Sequence, residues 1–137
     1  MQMLNTRFFE AIASAVDLDD PAEQFLAQRF MIEAIGRVTS QLPEVAKSAA
    51  AVAKRFITGA ATAEEVIAER VRLWRAIEGR DQSDKPDVLK IRTAICILHP
   101  MDIANSAETL EYFFMFWQQA GLAQAELEAA IQNKYGI

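Results

Sequence analysis

Apolar residues recur along this chain with a period of about 3.6 residues, which is the period of one face of an α-helix. The strict alternation of apolar and polar residues that is typical of a half-buried strand does not occur. Helix start and stop signals divide the pattern into six or seven segments with short connections. The pattern therefore predicts an all-α fold, in which six or seven helices form one compact domain over residues 1–137.

Capping signals indicate where two of these helices begin. Asp20 stands before Pro21, which suits the first position of a helix because its fixed φ is helical and its missing N–H is not needed there. Glu23 lies three residues after Asp20, so the pair predicts a capping box. Thr62 and Glu65 have the same spacing and predict a second capping box at the start of the fourth helix.

Proline, glycine and a stripe of apolar side chains define the third and fourth helices. Pro43 predicts the start of the third helix, and Gly59 predicts its end as the residue after the C-cap. The fourth helix has an apolar stripe with helical spacing, which we expect to face the core: Ile67, Val71, Trp74 and Ile77. Glu69 and Arg72 of the same helix are expected to face solvent.

The segment Tyr112–Trp117 is the strongest physical signal in the chain, because it consists only of aromatic residues and one methionine. A helix that is apolar on nearly every side is either central in its own domain or covered by a partner. We predict that this segment forms the central helix of the domain. Met115 falls between Glu111 and Gln118 on the otherwise polar side, so we assign it to the contact with a partner or with a second copy of the chain.

Composition and charge argue against several classes of protein. Apolar residues make up 52% of the chain and charged residues 24%, which is typical of a globular domain rather than a disordered one. The net charge of −5 argues against nucleic-acid binding, which needs a basic patch. No run of about 18 apolar residues occurs, so no membrane segment is predicted. Glu10 interrupts the apolar run near the N-terminus, so we expect no signal peptide and a cytoplasmic location.

The single cysteine and the single histidine, Cys96 and His99, share one helical turn. A thiol and an imidazole at this spacing could serve as nucleophile and base or as two metal ligands. However, a catalytic pair needs a third group to orient it, and a closed zinc site needs four ligands. We therefore interpret Cys96 as a small buried residue and His99 as a cation at a helix end, where the helix dipole favours positive charge. On this interpretation the chain has no catalytic residue, no metal site and no cofactor.

Two alternatives, one enzymatic and one based on a cofactor, stay open. Glutamates from two helices could hold Mg²⁺ for the hydrolysis of nucleotide pyrophosphates. The four candidates are Glu64, Glu65, Glu69 and Glu108. Glu65 and Glu108 also fit capping boxes, which gives both a structural explanation. His99 alone could bind haem, since an all-helical chain of this length with one histidine suits a globin-like domain.

Two acidic clusters lie in the first and the longest connections between helices. Capping explains some of their carboxylates but leaves others without a structural role. We therefore predict that these residues attract a basic protein partner, because complementary charge raises the association rate. The predicted partner-binding residues are Asp17, Asp19, Asp81, Asp84 and Asp87, together with Met115.

Parts of the chain resemble small all-helical immunity proteins of bacterial toxin systems. The similar segments are Ala53–Gly59, Thr62–Glu65, Arg72–Arg75 and the helix Arg92–Leu98. The resemblance implies a cytoplasmic protein that blocks a toxin by binding it, without catalysis. It implies no role for any single residue, because this family has no sharp motif. We therefore expect a protein-binding domain, with inhibition of a basic toxin domain as its most specific form.

Overall fold

The computed structural model describes residues 4–99 and 106–136. Within these residues the chain forms seven α-helices and no β-strand, which confirms the predicted all-α fold. In chain order the helices are α1 (Leu4–Ala15), α2 (Pro21–Arg37), α3 (Ala49–Ile57), α4 (Ala63–Ala76), α5 (Pro86–Cys96), α6 (Ser106–Ala120) and α7 (Gln124–Tyr135). Two short 3₁₀ turns, Thr39–Gln41 and Glu44–Ala46, connect α2 to α3. No helix in this part of the chain is both long enough and apolar enough to span a membrane.

Helices α5 and α6 form the centre of the fold and make the most extensive helix-to-helix contact. α1 packs on α6, α2 packs on α3, α6 and α7, and α4 packs on α3 and α5. α5 is buried on nearly every side, and its buried residues are Val88, Leu89, Ile91, Thr93, Ala94, Ile95 and Cys96. The segment Tyr112–Trp117 of α6 therefore shares the central position with α5.

An aromatic cluster joins α2 to α6 in the core. Phe30 stacks on Phe114 with the ring centroids 5.5 Å apart, and it meets Phe113 edge-on at 5.9 Å. The ring centroid of Trp117, one turn further along α6, is 5.7 Å from that of Phe113. All four side chains are fully buried, so their contacts fix the position of α6 against α2.

Asn5 connects α1 to the centre through a buried polar network. Its backbone N–H donates to Oε1 of Gln118 at 3.0 Å, and its side-chain Nδ2 donates to the carbonyl of Phe114 at 3.0 Å. Its Oδ1 accepts a hydrogen bond from Nε2 of Gln124 at 2.6 Å. Since buried polar groups are costly when unpaired, this network holds α1 at one position on α6 and α7.

The predicted helix caps are confirmed at Thr62 and only in part at Asp20. The Thr62 hydroxyl accepts a hydrogen bond from the N–H of Glu65, and the Glu65 carboxylate accepts one from the N–H of Thr62. Asp20 caps α2 by accepting a hydrogen bond from the backbone N–H two residues later. The capping box predicted with Glu23 is wrong, because the N–H of Asp20 donates to the carbonyl of Asp17 instead.

The third helix begins later than predicted. Pro43 precedes the 3₁₀ turn Glu44–Ala46, and the α-helix starts only after this turn. Ser48 is the residue before α3, but its side chain does not cap the helix. Its hydroxyl group instead donates a hydrogen bond to the carboxylate of Glu69 on α4. The predicted end is confirmed, since Gly59 follows the helix with a φ of 83°.

Helix α4 is rotated relative to the prediction. Its buried residues are Val66, Glu69 and Leu73. The side chains of Ile67 and Val71, by contrast, are 48% and 39% exposed. The expectation that these two residues face the core is therefore wrong, and so is the expectation that Glu69 faces solvent. The inward position of Ile77, directly after the helix, is confirmed.

Candidate functional site

A cleft of about 310 Å³ lies where α4, α5 and α6 meet. It is lined by Trp74, Arg92, Ile95, Cys96, His99, Glu108, Thr109, Tyr112 and Phe116. These residues combine three aromatic rings with an arginine, a histidine and a glutamate. A concave site with apolar walls and a few convergent polar groups is the usual form of a binding site. We therefore treat this aromatic cleft as the candidate functional site.

Arg92 is held by the aromatic walls of the cleft. Its guanidinium carbon lies 4.5 Å from the ring centroid of Phe116 and 5.7 Å from that of Trp74. Both separations are within the range of cation–π attraction. Its Nη1 also donates a hydrogen bond of 3.1 Å to the backbone carbonyl of Asp81, in the loop between α4 and α5. Arg92 therefore ties α4, α6 and this loop to α5.

Tyr112 is the most exposed aromatic side chain of the cleft, with 45% of its surface accessible. Its ring stacks on that of Phe116, with the centroids 5.8 Å apart and an angle of 14° between the planes. Phe116 is buried, so the ring of Tyr112 packs on a side chain that is itself held in the core. An aromatic ring that is already held in place can contact a partner with little loss of conformational entropy.

Cys96 lines the cleft as a buried residue, which confirms its interpretation from the sequence. Burial raises the pKa of its thiol to about 12, although the positive charge of Arg92 acts in the opposite direction. The thiolate is the nucleophilic form of cysteine, and a thiol with this pKa carries almost none of it at neutral pH. Cys96 is therefore expected to be a poor nucleophile in the folded chain at neutral pH.

His99 is half-buried between two clefts, and its surroundings disfavour the predicted positive charge. It lines the aromatic cleft and a second cleft of about 150 Å³ beside α3 and α4. Burial lowers the pKa of the imidazole below its ordinary value of 6.5, and the charge of Arg70 lowers it further. Both effects disfavour the charged imidazole that the sequence predicted. The helix α5 ends at Cys96, and Pro100 lies outside the described residues.

The four glutamates of the magnesium alternative do not converge. Glu69 is bound by Arg72 of its own helix, and Glu65 caps that helix. Glu64 is exposed on α4, whereas Glu108 lines the aromatic cleft. In residues 4–99 and 106–136, no three Asp, Glu, His or Cys side chains are close enough to hold a metal ion. The capping box predicted to contain Glu108 begins at residue 105, which lies outside these ranges.

The first acidic cluster lies in the loop between α1 and α2. Asp17 and Asp19 are both exposed there. The Asp17 carboxylate accepts a hydrogen bond of 3.0 Å from the backbone N–H of Asp19, so it shapes the turn before α2. Asp17 thus has a structural role that the sequence did not reveal. The role of both residues in binding a partner stays a prediction.

The second acidic cluster lies in the α4–α5 loop and the first turn of α5. Asp81 and Asp84 are exposed in the loop. Asp87 is 3.2 Å from Arg80, and this hydrogen bond holds the pKa of its carboxyl below the usual range. Met115, the remaining predicted contact residue, lies on α6 half-buried against the core. Among these predicted contact residues, only Asp81 forms a hydrogen bond with a residue of the aromatic cleft. Its backbone carbonyl accepts this hydrogen bond from Arg92.

Sequence reasoning missed an exposed apolar surface on α3 and α4. Phe56, Ile67 and Val71 are large apolar residues with exposed side chains, and Phe56 and Ile67 line the second cleft. Exposed apolar side chains that lie together are typical of binding surfaces. The signal was present in the sequence, because α4 carries two apolar stripes and only one of them can face the core.

Comparison of the chain with known proteins gives no relative. No family model matches it, and neither a curated protein nor a solved structure matches it.

Proposed function

We propose that this chain is a protein-binding domain that acts without catalysis, and that its most specific form is an immunity- or antitoxin-like inhibitor of a basic toxin domain. The observation that carries the proposal is the position of the aromatic cleft beside the acidic α4–α5 loop. The hydrogen bond from Arg92 to the carbonyl of Asp81 joins the two. The same surface therefore carries the aromatic side chains of the cleft and the exposed carboxylates of the loop.

The cleft contains side chains of the kind that dominate the energy of protein interfaces. Tryptophan, tyrosine and arginine are enriched among interface hot spots, and Trp74, Arg92 and Tyr112 lie around one depression. Arg92 and Tyr112 are each held by contact with the ring of Phe116. A partner side chain could enter the cleft without first ordering its walls, which favours affinity.

The charge beside the cleft favours a basic partner. Asp81 and Asp84 are exposed, and within the described part of the chain neither carboxylate forms an ion pair. Arg80 and Asp87 pair with each other, and Lys85 offsets only one of the remaining negative charges. Exposed carboxylates at a binding surface speed the association of a basic protein and make it sensitive to salt.

The side chains best suited to catalysis are either buried or hydrogen-bonded to other residues of the fold. The thiol of Cys96 is buried and protonated, and the carboxylate of Glu69 is held by Arg72 and Ser48. These contacts support action by binding rather than by turnover. The magnesium enzyme and the globin-like domain stay predictions, although the four glutamates named as magnesium ligands do not converge in the described residues. Turnover of nucleotide pyrophosphates tests the magnesium enzyme, and a Soret band after haem addition tests the globin-like domain.

Affinity capture from the native source at low salt tests the proposal, with the wild-type chain and three variants as baits. We expect the wild-type chain to retain a basic protein that Tyr112→Ala and the double variant Asp81→Asn/Asp84→Asn bind at least about tenfold more weakly. Phe25→Ala is the matched control, because Phe25 is an exposed aromatic residue of α2 outside the cleft. Equal binding by the Tyr112 and Phe25 variants would contradict the cleft as the binding site.

The toxin-inhibitor form of the proposal has its own test. Expression of the captured protein alone is expected to arrest growth, and co-expression with the wild-type chain is expected to restore it. Tyr112→Ala should fail to restore growth, whereas Phe25→Ala should succeed. A captured protein that is harmless when expressed alone would leave a protein-binding domain but contradict the inhibitor function.

A further inference from the structure

The outward face of α4 carries a symmetric pattern of charged and small apolar residues. Glu64, Ala68, Val71 and Arg75 follow one another at spacings of four, three and four residues, so they share one face of the helix. All four are exposed, and Ile67 adds apolar surface beside them. The opposite face of α4 is buried against α3 and α5.

The two ends of this face are charged, with Glu64 at one end and Arg75 at the other. In the residues that the structure describes, neither Glu64 nor Arg75 forms an ion pair, whereas Glu65, Glu69 and Arg72 all do. Glu64 and Arg75 are roughly 16 Å apart along the helix axis, so they cannot reach each other. Opposite charges therefore stand at the two ends of an exposed apolar strip.

We infer that a second copy of the chain covers this face, with the two α4 helices antiparallel. The spacing of four, three and four residues is the same when read in either direction. A two-fold axis at the middle of the helix therefore places Glu64 of each copy opposite Arg75 of the other, and Ala68 opposite Val71. The face is complementary to itself in charge and in size, as an isologous interface requires.

A second copy is the occupant that fits this face most simply. Any other partner would have to present a basic and an acidic group in the reverse order, roughly 16 Å apart, with an apolar strip between them. The chain itself carries that arrangement. Ala68 is small enough to let the two backbones approach closely, and Ile67 and Val71 lose their contact with water.

The contact is small, so we expect the dimer to be weak. α4 has 14 residues and is about 21 Å long. A contact of one helix with one helix is at the small end of specific interfaces, so we expect a dissociation constant of about 10 μM. This dimer goes beyond the proposed function, because it needs no other protein and can be measured on the purified chain alone.

Sedimentation equilibrium of the full chain over a range of about 1 to 500 μM tests the inference. The wild-type chain is expected to dimerise across this range. Glu64→Arg or Arg75→Glu places like charges opposite each other twice in the dimer, so either change is expected to raise the dissociation constant at least about tenfold. Glu128→Arg on α7 and Arg7→Glu on α1 are the matched controls at exposed positions, and they should stay within about twofold of wild type.

Mixing the two reversed variants gives the decisive result. In a mixed dimer of Glu64→Arg with Arg75→Glu, every facing pair again has opposite charges, so the mixture is expected to associate as tightly as wild type. Circular dichroism of each variant establishes that it is folded. A wild-type chain that stays monomeric, single reversals that dimerise as tightly as the controls, or a mixture that does not associate would each overturn the inference.

Discussion

The guanidinium of Arg72 donates two hydrogen bonds to the carboxylate of Glu69, at 2.8 Å to Oε2 and at 3.2 Å to Oε1. The Ser48 hydroxyl donates a third, at 2.6 Å, from the segment before α3. Burial acts to raise the pKa of Glu69, but the hydrogen bonds and the charge of Arg72 outweigh it and hold the pKa below its ordinary value of 4.5. An ionised carboxylate thus packs on the inner face of α4.

Glu69→Gln is expected to lower the free energy of unfolding by about 1–2 kcal/mol, because it leaves Arg72 without its anionic partner. Urea unfolding monitored by circular dichroism measures the change. Glu128→Gln, at an exposed position of α7, is the control and is expected to change the free energy of unfolding by less than about 0.5 kcal/mol. Equal effects of the two substitutions would contradict a structural role for the Glu69 carboxylate.

The same carboxylate makes stability depend on pH in the acid range. A carboxyl whose pKa is lowered by folding contributes stability above its unfolded pKa, and that contribution is lost as the pH falls through the folded pKa. For Glu69 the loss begins near the ordinary value of 4.5 and continues below it. The wild-type chain and Glu69→Gln should therefore converge in stability as the solution is acidified.

The sequence predicted the all-α fold because helical periodicity is a local property that each segment carries by itself. The orientation of α4 is not local. Val66 and Leu73 form one apolar stripe, and Ile67 and Val71 form another, so periodicity indicates a helix without indicating which stripe is buried. The contact between Ser48 and Glu69, which lie on different elements, favours the stripe that contains the carboxylate.

The aromatic cleft is even harder to predict from the sequence than the orientation of α4, because it forms only when three helices pack together. Trp74, Arg92 and Phe116 come from α4, α5 and α6, and each resembles an ordinary core or surface residue in its own segment. Only the packing of α5 against both other helices brings them together. The acidic loops, by contrast, could be recognised from composition, since a run of polar residues between helices is a local signal.

Cys96 is expected to resist thiol reagents in the folded protein. With a thiol pKa of about 12, the thiolate fraction near pH 8 is on the order of 10⁻⁴, and burial also blocks access. Absorbance measurements with a disulfide reagent should show no reaction in buffer and rapid reaction in concentrated guanidinium. Ser14→Cys in a Cys96→Ala background is the control, because Ser14 is exposed on α1 and should react in buffer. A native Cys96 that reacts as fast as this control would contradict its inertness.

His99 is expected to make the protein less stable as the pH falls from about 6.5. Burial and the charge of Arg70 lower its pKa in the folded state, so the unfolded chain binds the proton first. The contribution of the neutral imidazole is complete above the unfolded pKa and is lost as the pH falls toward the folded pKa. The slope is at most about 1.4 kcal/mol per pH unit for one group. Urea unfolding between about pH 5 and 7 should show this slope in wild type and not in His99→Gln.

The effect of Arg70 on His99 can be measured directly. Proton NMR of the imidazole should give a pKa below 6.5 in wild type and a higher pKa in Arg70→Gln, because one positive charge is removed. Arg7→Gln removes the same charge from an exposed position of α1, and it is expected to leave the His99 pKa unchanged. An imidazole pKa above 6.5 in the wild-type chain would contradict the lowered pKa. An unchanged pKa in Arg70→Gln would contradict the effect of Arg70.

Two glycines are expected to respond to alanine with opposite signs. Gly36 lies within α2, where an added Cβ would meet no atom within 4 Å, so Gly36→Ala reduces the entropy of the unfolded chain without strain. We expect it to raise the free energy of unfolding by about 0.5–1 kcal/mol. Gly59 also has open space around it, but its φ of 83° is unfavourable for alanine, so Gly59→Ala is expected to lower stability by about 1 kcal/mol. Thermal unfolding of both variants measures the two signs, and because space is available at both positions, a destabilising Gly36→Ala would show that backbone conformation does not decide the outcome.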